Sequence, residues 1–87
     1  MEMKIEKVFY MLEKEPKKGE KETRKEIFLY NEIDGAIEKI SKYMTSGVST
    51  EDIELTEVSI EEEGMKAKVV SWSTIAQALV KKLTQKP

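Results

Sequence analysis

The sequence predicts an α+β domain: two ββα units that form one four-stranded antiparallel sheet, with two helices on one face. An apolar run, an aromatic residue, a capping residue and an amphipathic helix occur in that order at residues 27–40 and again at 69–83. An apolar, β-branched segment of strand length precedes each copy. At 87 residues the chain is too short for two cores. We therefore expect a single domain, residues 1–87, with units at 1–47 and 51–86.

The composition excludes several kinds of chemistry. The chain has no Cys and no His, so disulfides, thiolate nucleophiles, His bases and the usual zinc ligand sets are ruled out. Charged residues make up 37% of the chain, yet the net charge is −2 and Arg24 is the single Arg. Proteins that neutralise phosphates are usually basic and rich in Arg, which counts against bulk nucleic-acid binding.

The composition also bears on the compartment. No apolar run is long enough for a membrane span, and the N-terminus lacks the apolar core of a signal peptide, so we expect a cytoplasmic protein with no membrane contact. Abundant Lys and Glu with few Asn and Gln is typical of hyperthermophiles. Because the chain also has 5 Met, a thermophilic origin stays open.

The first unit begins with a strand at residues 4–12, which is partly apolar on both faces. Residues 13–23 are charged, include Pro16 and Gly19, and lack any period, which indicates a long, solvated hairpin loop. A second strand follows at 24–30.

The first helix is predicted to begin after Asn31, whose side chain can cap it, and to end at Gly47 in a left-handed conformation. Asp34 favours the positive end of the helix dipole. Gly35 weakens the helix by roughly 1 kcal/mol relative to Ala. A Gly at such a position often permits the close approach of a strand.

The third strand, residues 52–61, changes parity. Ile53 and Leu55 lie on one face of a regular strand, whereas Val58 and Ile60 lie on the other. A β-bulge near Thr56 or Glu57 would bring all four to one face, and we expect one there.

The second hairpin and helix complete the repeat. Glu62, Glu63 and Gly64 form a tight turn, with Gly64 supplying the positive φ. A strand at 65–71 follows, and Ser71 or Ser73 caps the second helix.

Side-chain alternation then predicts which residues lie on each face of the sheet. We expect the helices to cover Ile27, Leu29, Met65, Ala67 and Val69. The open face would then hold an apolar, largely aromatic patch edged by basic residues. Its apolar members are Val8, Tyr10, Leu12, Phe28, Tyr30, Val70 and Trp72, and its basic edge is Lys4, Arg24, Lys66 and Lys68.

A patch of this kind predicts a non-catalytic interaction protein, a homodimer or an accessory subunit of a larger protein, with the rings as anchors. The alternative is a single-stranded nucleic-acid binder, because rings on a sheet accept stacked bases while Lys and Arg hold the backbone. Tyr30 and Trp72 have a structural alternative, since an apolar residue before a helix cap commonly packs on the first turn.

No residue pattern predicts catalysis, a metal or a cofactor. The acidic run 61–63 is contiguous on a hairpin tip and does not resemble a loop with converging oxygen ligands. No Asp or Glu interrupts an apolar stripe, where burial would raise its pKa. The hydroxyl groups of Ser71, Ser73 and Thr74 are explained by helix capping. We therefore expect a protein that is not an enzyme.

Overall fold

The structure is a computed structural model that describes residues 7–16 and 24–84. Lys4 and residues 17–23 of the expected loop lie outside this range. The elements are β1 (Lys7–Lys14), β2 (Glu26–Tyr30), α1 (Ile33–Thr45), a 3₁₀ turn (Thr50–Asp52), β3 (Ile53–Glu61), β4 (Gly64–Val69) and α2 (Trp72–Thr84). Within the described residues, neither helix has the length and apolar character that crossing a membrane requires.

The four strands form one antiparallel sheet in the order β2-β1-β3-β4. Tyr10 is opposite Tyr30, and Leu12 lies between Phe28 on β2 and Leu55 on β3. The predicted fold class, an α+β domain with a four-stranded antiparallel sheet and two helices, is confirmed. The strand order, which the sequence left open, puts the first strand of each hairpin in the centre and is compatible with repeated ββα units.

Both helices pack on the same face of the sheet and share one core. One buried cluster holds Leu12 and Leu55 from the central strands together with residues of α1 and Ile75 from α2. The buried core residues are Leu12, Ala36, Ile37, Ile40, Tyr43, Ile53, Leu55 and Ile75. Helix α1 contributes four of these because its apolar side chains recur at helical spacing.

The start of α1 differs from the prediction. The residue before the first helical residue is Glu32, and its side chain forms no capping hydrogen bond, so the prediction of Asn31 as the cap is wrong. The predicted end is confirmed: Gly47 has a φ of 91°, and its N–H donates to the carbonyl of Met44 at 3.1 Å.

The cap of α2 agrees with the sequence. The Oγ atom of Ser71 accepts a hydrogen bond of 3.2 Å from the backbone N–H of Thr74, so Ser71, one of the two predicted residues, is the cap. The hairpin turn is also as predicted, since Gly64 has a φ of 137°.

The predicted β-bulge is absent. Strand β3 pairs with β1 without interruption, from Ile53 opposite Lys14 to Ile60 opposite Lys7. Ile53 and Leu55 therefore face the helices, whereas Val58 and Ile60 face the opposite side. A bulge is unnecessary because β3 is a central strand with apolar side chains on both faces.

Candidate interaction surface on the open sheet face

The aromatic patch predicted for the open face lies instead beneath the helices. Leu12 is fully buried in the core, so it marks the side of the sheet that the helices cover. Phe28, which is paired with Leu12 on β2, lies on the same side. Five of the predicted partner-binding residues are partly buried and pack against the core: Tyr10, Phe28, Tyr30, Val70 and Trp72. The predicted placement of these residues on the open face is therefore wrong, as is that of Leu12. Large rings fill the space between the sheet and the helices.

The contacts of the rings are those of packing residues. The Nζ atom of Lys39 on α1 lies 5.0 Å from the centre of the Phe28 ring. Burial raises the pKa of both Tyr10 and Tyr30, and the charge of Glu57 adds to the increase at Tyr10. Trp72 is the first residue of α2. The structural alternative thus agrees with Tyr30, which lies against Gly35 in the first turn of α1, whereas Trp72 follows the cap Ser71 instead of preceding it.

Two members of the predicted basic edge, Lys66 and Lys68, are not on the open face either. Lys66 and Lys68 point to the same side of the sheet as Val70 and therefore lie on the helix side of β4. Lys66 forms an ion pair of 3.3 Å with Glu61. Arg24 is exposed and precedes β2.

The central part of the sheet face without helices is apolar. Its side chains form rows across the strands, because residues paired across a sheet point the same way. We call this surface the open face, and its members are Phe9, Met11, Ile27, Leu29, Thr56, Val58, Ile60, Met65, Ala67 and Val69. Nine of the ten are hydrophobic, and Thr56 carries a methyl group.

Much of the open face is accessible to solvent. The exposed fraction is 70% for Met65, 66% for Leu29, 57% for Val69, 55% for Ile27 and 37% for Ile60. Val58 and Thr56, on the central strand β3, are buried. The exposed members together present on the order of 500 Å² of apolar surface, the upper range of the largest patch on a typical monomer.

Charged residues lie at the two ends of the open face. Lys7 precedes Phe9 on β1, and Glu13 and Glu54 are paired across β1 and β3 at the other end. Lys25 contacts Glu13 at 2.8 Å and Glu15 at 3.0 Å. The hydrogen bonds to these two carboxylates raise the pKa of Lys25 above its ordinary value.

A polar pocket of about 380 Å³ opens on the helix side, between the end of β1 and the end of α1. The hydroxyl group of Tyr43 donates a hydrogen bond of 2.9 Å to Glu26, and Lys14 lies 4.0 Å from the same carboxylate. Burial, with Glu26 beside the ring, raises the pKa of Tyr43 to about 12. These groups pair with one another, so the pocket has a structural explanation.

The sequence contains a signal for the open face in the alternation of β4. The prediction placed the apolar side chains of β4 under the helices, which is the wrong side. Met65, Ala67 and Val69 alternate cleanly with Lys66 and Lys68. An amphipathic strand of this kind normally turns its apolar face toward the core. Here the helices lie on the other side of the sheet, and the apolar face of β4 has no cover among the described residues.

The fold and this surface define the class as an α+β protein with an uncovered apolar sheet face. No family model, curated protein or solved structure matched the chain.

Proposed function

We propose that this protein is a non-catalytic interaction module that binds another protein surface through the open face. The observation that supports the proposal is the contiguous apolar surface on the helix-free side of the sheet. Met65 and Leu29, its most exposed members, lie on the two edge strands, so the apolar surface extends across all four strands.

The free energy of hydration favours a partner on the open face. Aliphatic side chains left in water gain roughly 25 cal/mol per Å² when a partner covers them. The four strands already order the backbone of these residues, so little backbone entropy is lost on binding. Charged residues at the ends, such as Lys7 and Glu54, would set orientation and association rate.

A protein partner suits the open face better than a nucleic acid does. Phe9 is the aromatic residue on this face, and it is partly buried. Glu13 and Glu54 add negative charge at one end. Base stacking needs exposed rings, and the rings named for the nucleic-acid alternative lie under the helices.

The test compares two double variants that each add two Lys. Leu29→Lys with Met65→Lys changes the open face, whereas Met44→Lys with Val80→Lys changes exposed apolar residues of the helices. We expect the open-face double variant to lose self-association or partner capture from extracts of the source cells. The helix double variant should behave as the wild type, and circular dichroism should show that both remain folded.

If the open-face double variant has the same number of chains per particle in solution and captures the same partners as the wild type, the open face is not the binding surface. The same conclusion follows if the helix double variant alone loses them.

A further inference from the structure

We infer that the occupant of the open face is a second copy of this chain, packed sheet against sheet about a two-fold axis that runs across the strands. This inference rests on the proposed function and names its partner. Two features of the open face support it: its size, and the distribution of its charges.

The open face is large enough to form the apolar centre of a dimer interface. From Glu54 to Ile60, six residue steps along β3 span about 20 Å, and four strands add a width of about 14 Å between the outer backbones. Its exposed apolar surface, on the order of 500 Å², is the larger part of the roughly 800 Å² per partner of a standard interface, and the charged ends add to it. Stacked sheets pack face to face with interdigitated aliphatic side chains, which is what the open face presents.

The charges make the open face complementary to itself. Lys7 lies at one end of β1, and Glu13 lies at the other end, with Glu54 beside it on β3. Within the described residues, neither Lys7 nor Glu54 has an ion-pair partner. On the open face, Lys7 thus lies about 20 Å along the strands from an end where Glu13, Glu15 and Glu54 outnumber Lys25.

These charges select the orientation of the two-fold axis. An axis along the strands would place Lys7 of one copy over Lys7 of the other, and the acidic end of one copy over the acidic end of the other. An axis across the strands places Lys7 of one copy over Glu13 and Glu54 of the other, and symmetry repeats the contact. Aligned sheets cross at only about 30°, so this pairing of ends is retained in the packed dimer.

The first experiment measures the mass of the wild type by light scattering and sedimentation equilibrium at chain concentrations up to about 100 µM. We expect two chains per particle, and one chain per particle for Leu29→Lys with Met65→Lys. A wild type of one chain throughout overturns the second copy as partner. In that case, partner capture with the two double variants still tests the proposed function, because it does not require that the partner be a second copy.

The second experiment tests the orientation with a charge swap. Lys7→Glu and Glu54→Lys should each raise the dimer dissociation constant about threefold to tenfold, and the combined variant should return it close to the wild-type value. Lys66→Glu is the control, because it makes the same charge change on the helix side of β4, although it also breaks the ion pair with Glu61. Its dissociation constant should equal that of the wild type.

A dimer that the open-face double variant dissociates, but that neither charge reversal weakens, overturns the orientation. A combined variant weaker than both single reversals does the same. Thermal unfolding of each variant, followed by circular dichroism, confirms that changes in mass are not due to unfolding.

Discussion

Gly35 in the first turn of α1 lies directly against the ring of Tyr30, the last residue of β2. A Cβ atom at residue 35 would stand 2.8 Å from Cδ1 of that ring and 3.4 Å from Cε1. The sequence suggested that a Gly here would permit the close approach of a strand, and Tyr30 is the residue that approaches. The contact explains why α1 contains a residue that weakens it.

Gly35→Ala should therefore destabilise the protein, although Ala is the better helix former. Ala would favour the helix by about 1 kcal/mol. The ring of Tyr30 must move to admit the methyl group, and overpacking of this kind costs about 1 to 3 kcal/mol. We expect a net loss of about 1 kcal/mol in the free energy of unfolding, measured by urea denaturation.

The control is a double-mutant cycle with Tyr30→Ala. Without the ring, Gly35→Ala should be neutral or stabilising by up to about 1 kcal/mol. Equal destabilisation in both backgrounds would show that the Tyr30 ring is not the obstacle.

Phe28→Ala and Ile27→Ala together test the side of the sheet on which the core lies. Phe28 packs against the core, so its truncation should cost about 2 to 4 kcal/mol. Ile27 is 55% exposed, and its truncation should cost less than about 1 kcal/mol. Both values come from chemical denaturation at low protein concentration, where self-association does not add to stability. The reverse ranking would mean that the two faces of β2 are exchanged.

The elements could be predicted from the sequence because each has its own period or breaker. The apolar spacing of α1, the left-handed Gly47 and the turn at Gly64 are local features, and the structure confirms them. Local chemistry also identified Ser71 as one of two candidate caps.

The side of the sheet that the helices cover could not be predicted. Strands β1, β2 and β3 carry apolar side chains on both faces. Alternation therefore shows which residues share a face, but not which face the helices cover. Only β4 alternates cleanly, and its apolar face is the open one. The sequence prediction assumed that this face was the core, which then required a bulge in β3 and moved the rings outward.

Ser71→Ala should destabilise α2, whereas Ser73→Ala should not. The Oγ atom of Ser71 accepts from the N–H of Thr74 at 3.2 Å and lies 3.0 Å from the Thr74 hydroxyl group. Loss of such a cap costs about 1 kcal/mol. Ser73 is exposed, and its truncation should change stability by less than about 0.5 kcal/mol. Thermal unfolding of the two variants side by side checks this, and equal melting temperatures would contradict the assignment of Ser71 as the cap.

Tyr43→Phe should remove the hydrogen bond between α1 and β2. The hydroxyl group of Tyr43 donates to Glu26 at 2.9 Å, and the ring is buried in the core. Because the carboxylate is half exposed and water can replace the donor, we expect a loss of about 1 kcal/mol at neutral pH.

The same residue should make stability depend on alkaline pH. Burial first, and then the hydrogen bond and charge of Glu26, raise the pKa of Tyr43 from 10.0 to about 12. The folded protein therefore holds this proton more tightly than the unfolded chain does, and the contribution is complete below pH 10 and lost as the pH rises toward 12. The raised pKa of Tyr10, of Tyr30 and of Lys25 acts in the same direction in both proteins, so the wild type should lose stability more steeply than Tyr43→Phe in this range. Urea denaturation at a series of alkaline pH values measures the difference, and parallel curves would show that the Tyr43 proton is not linked to folding.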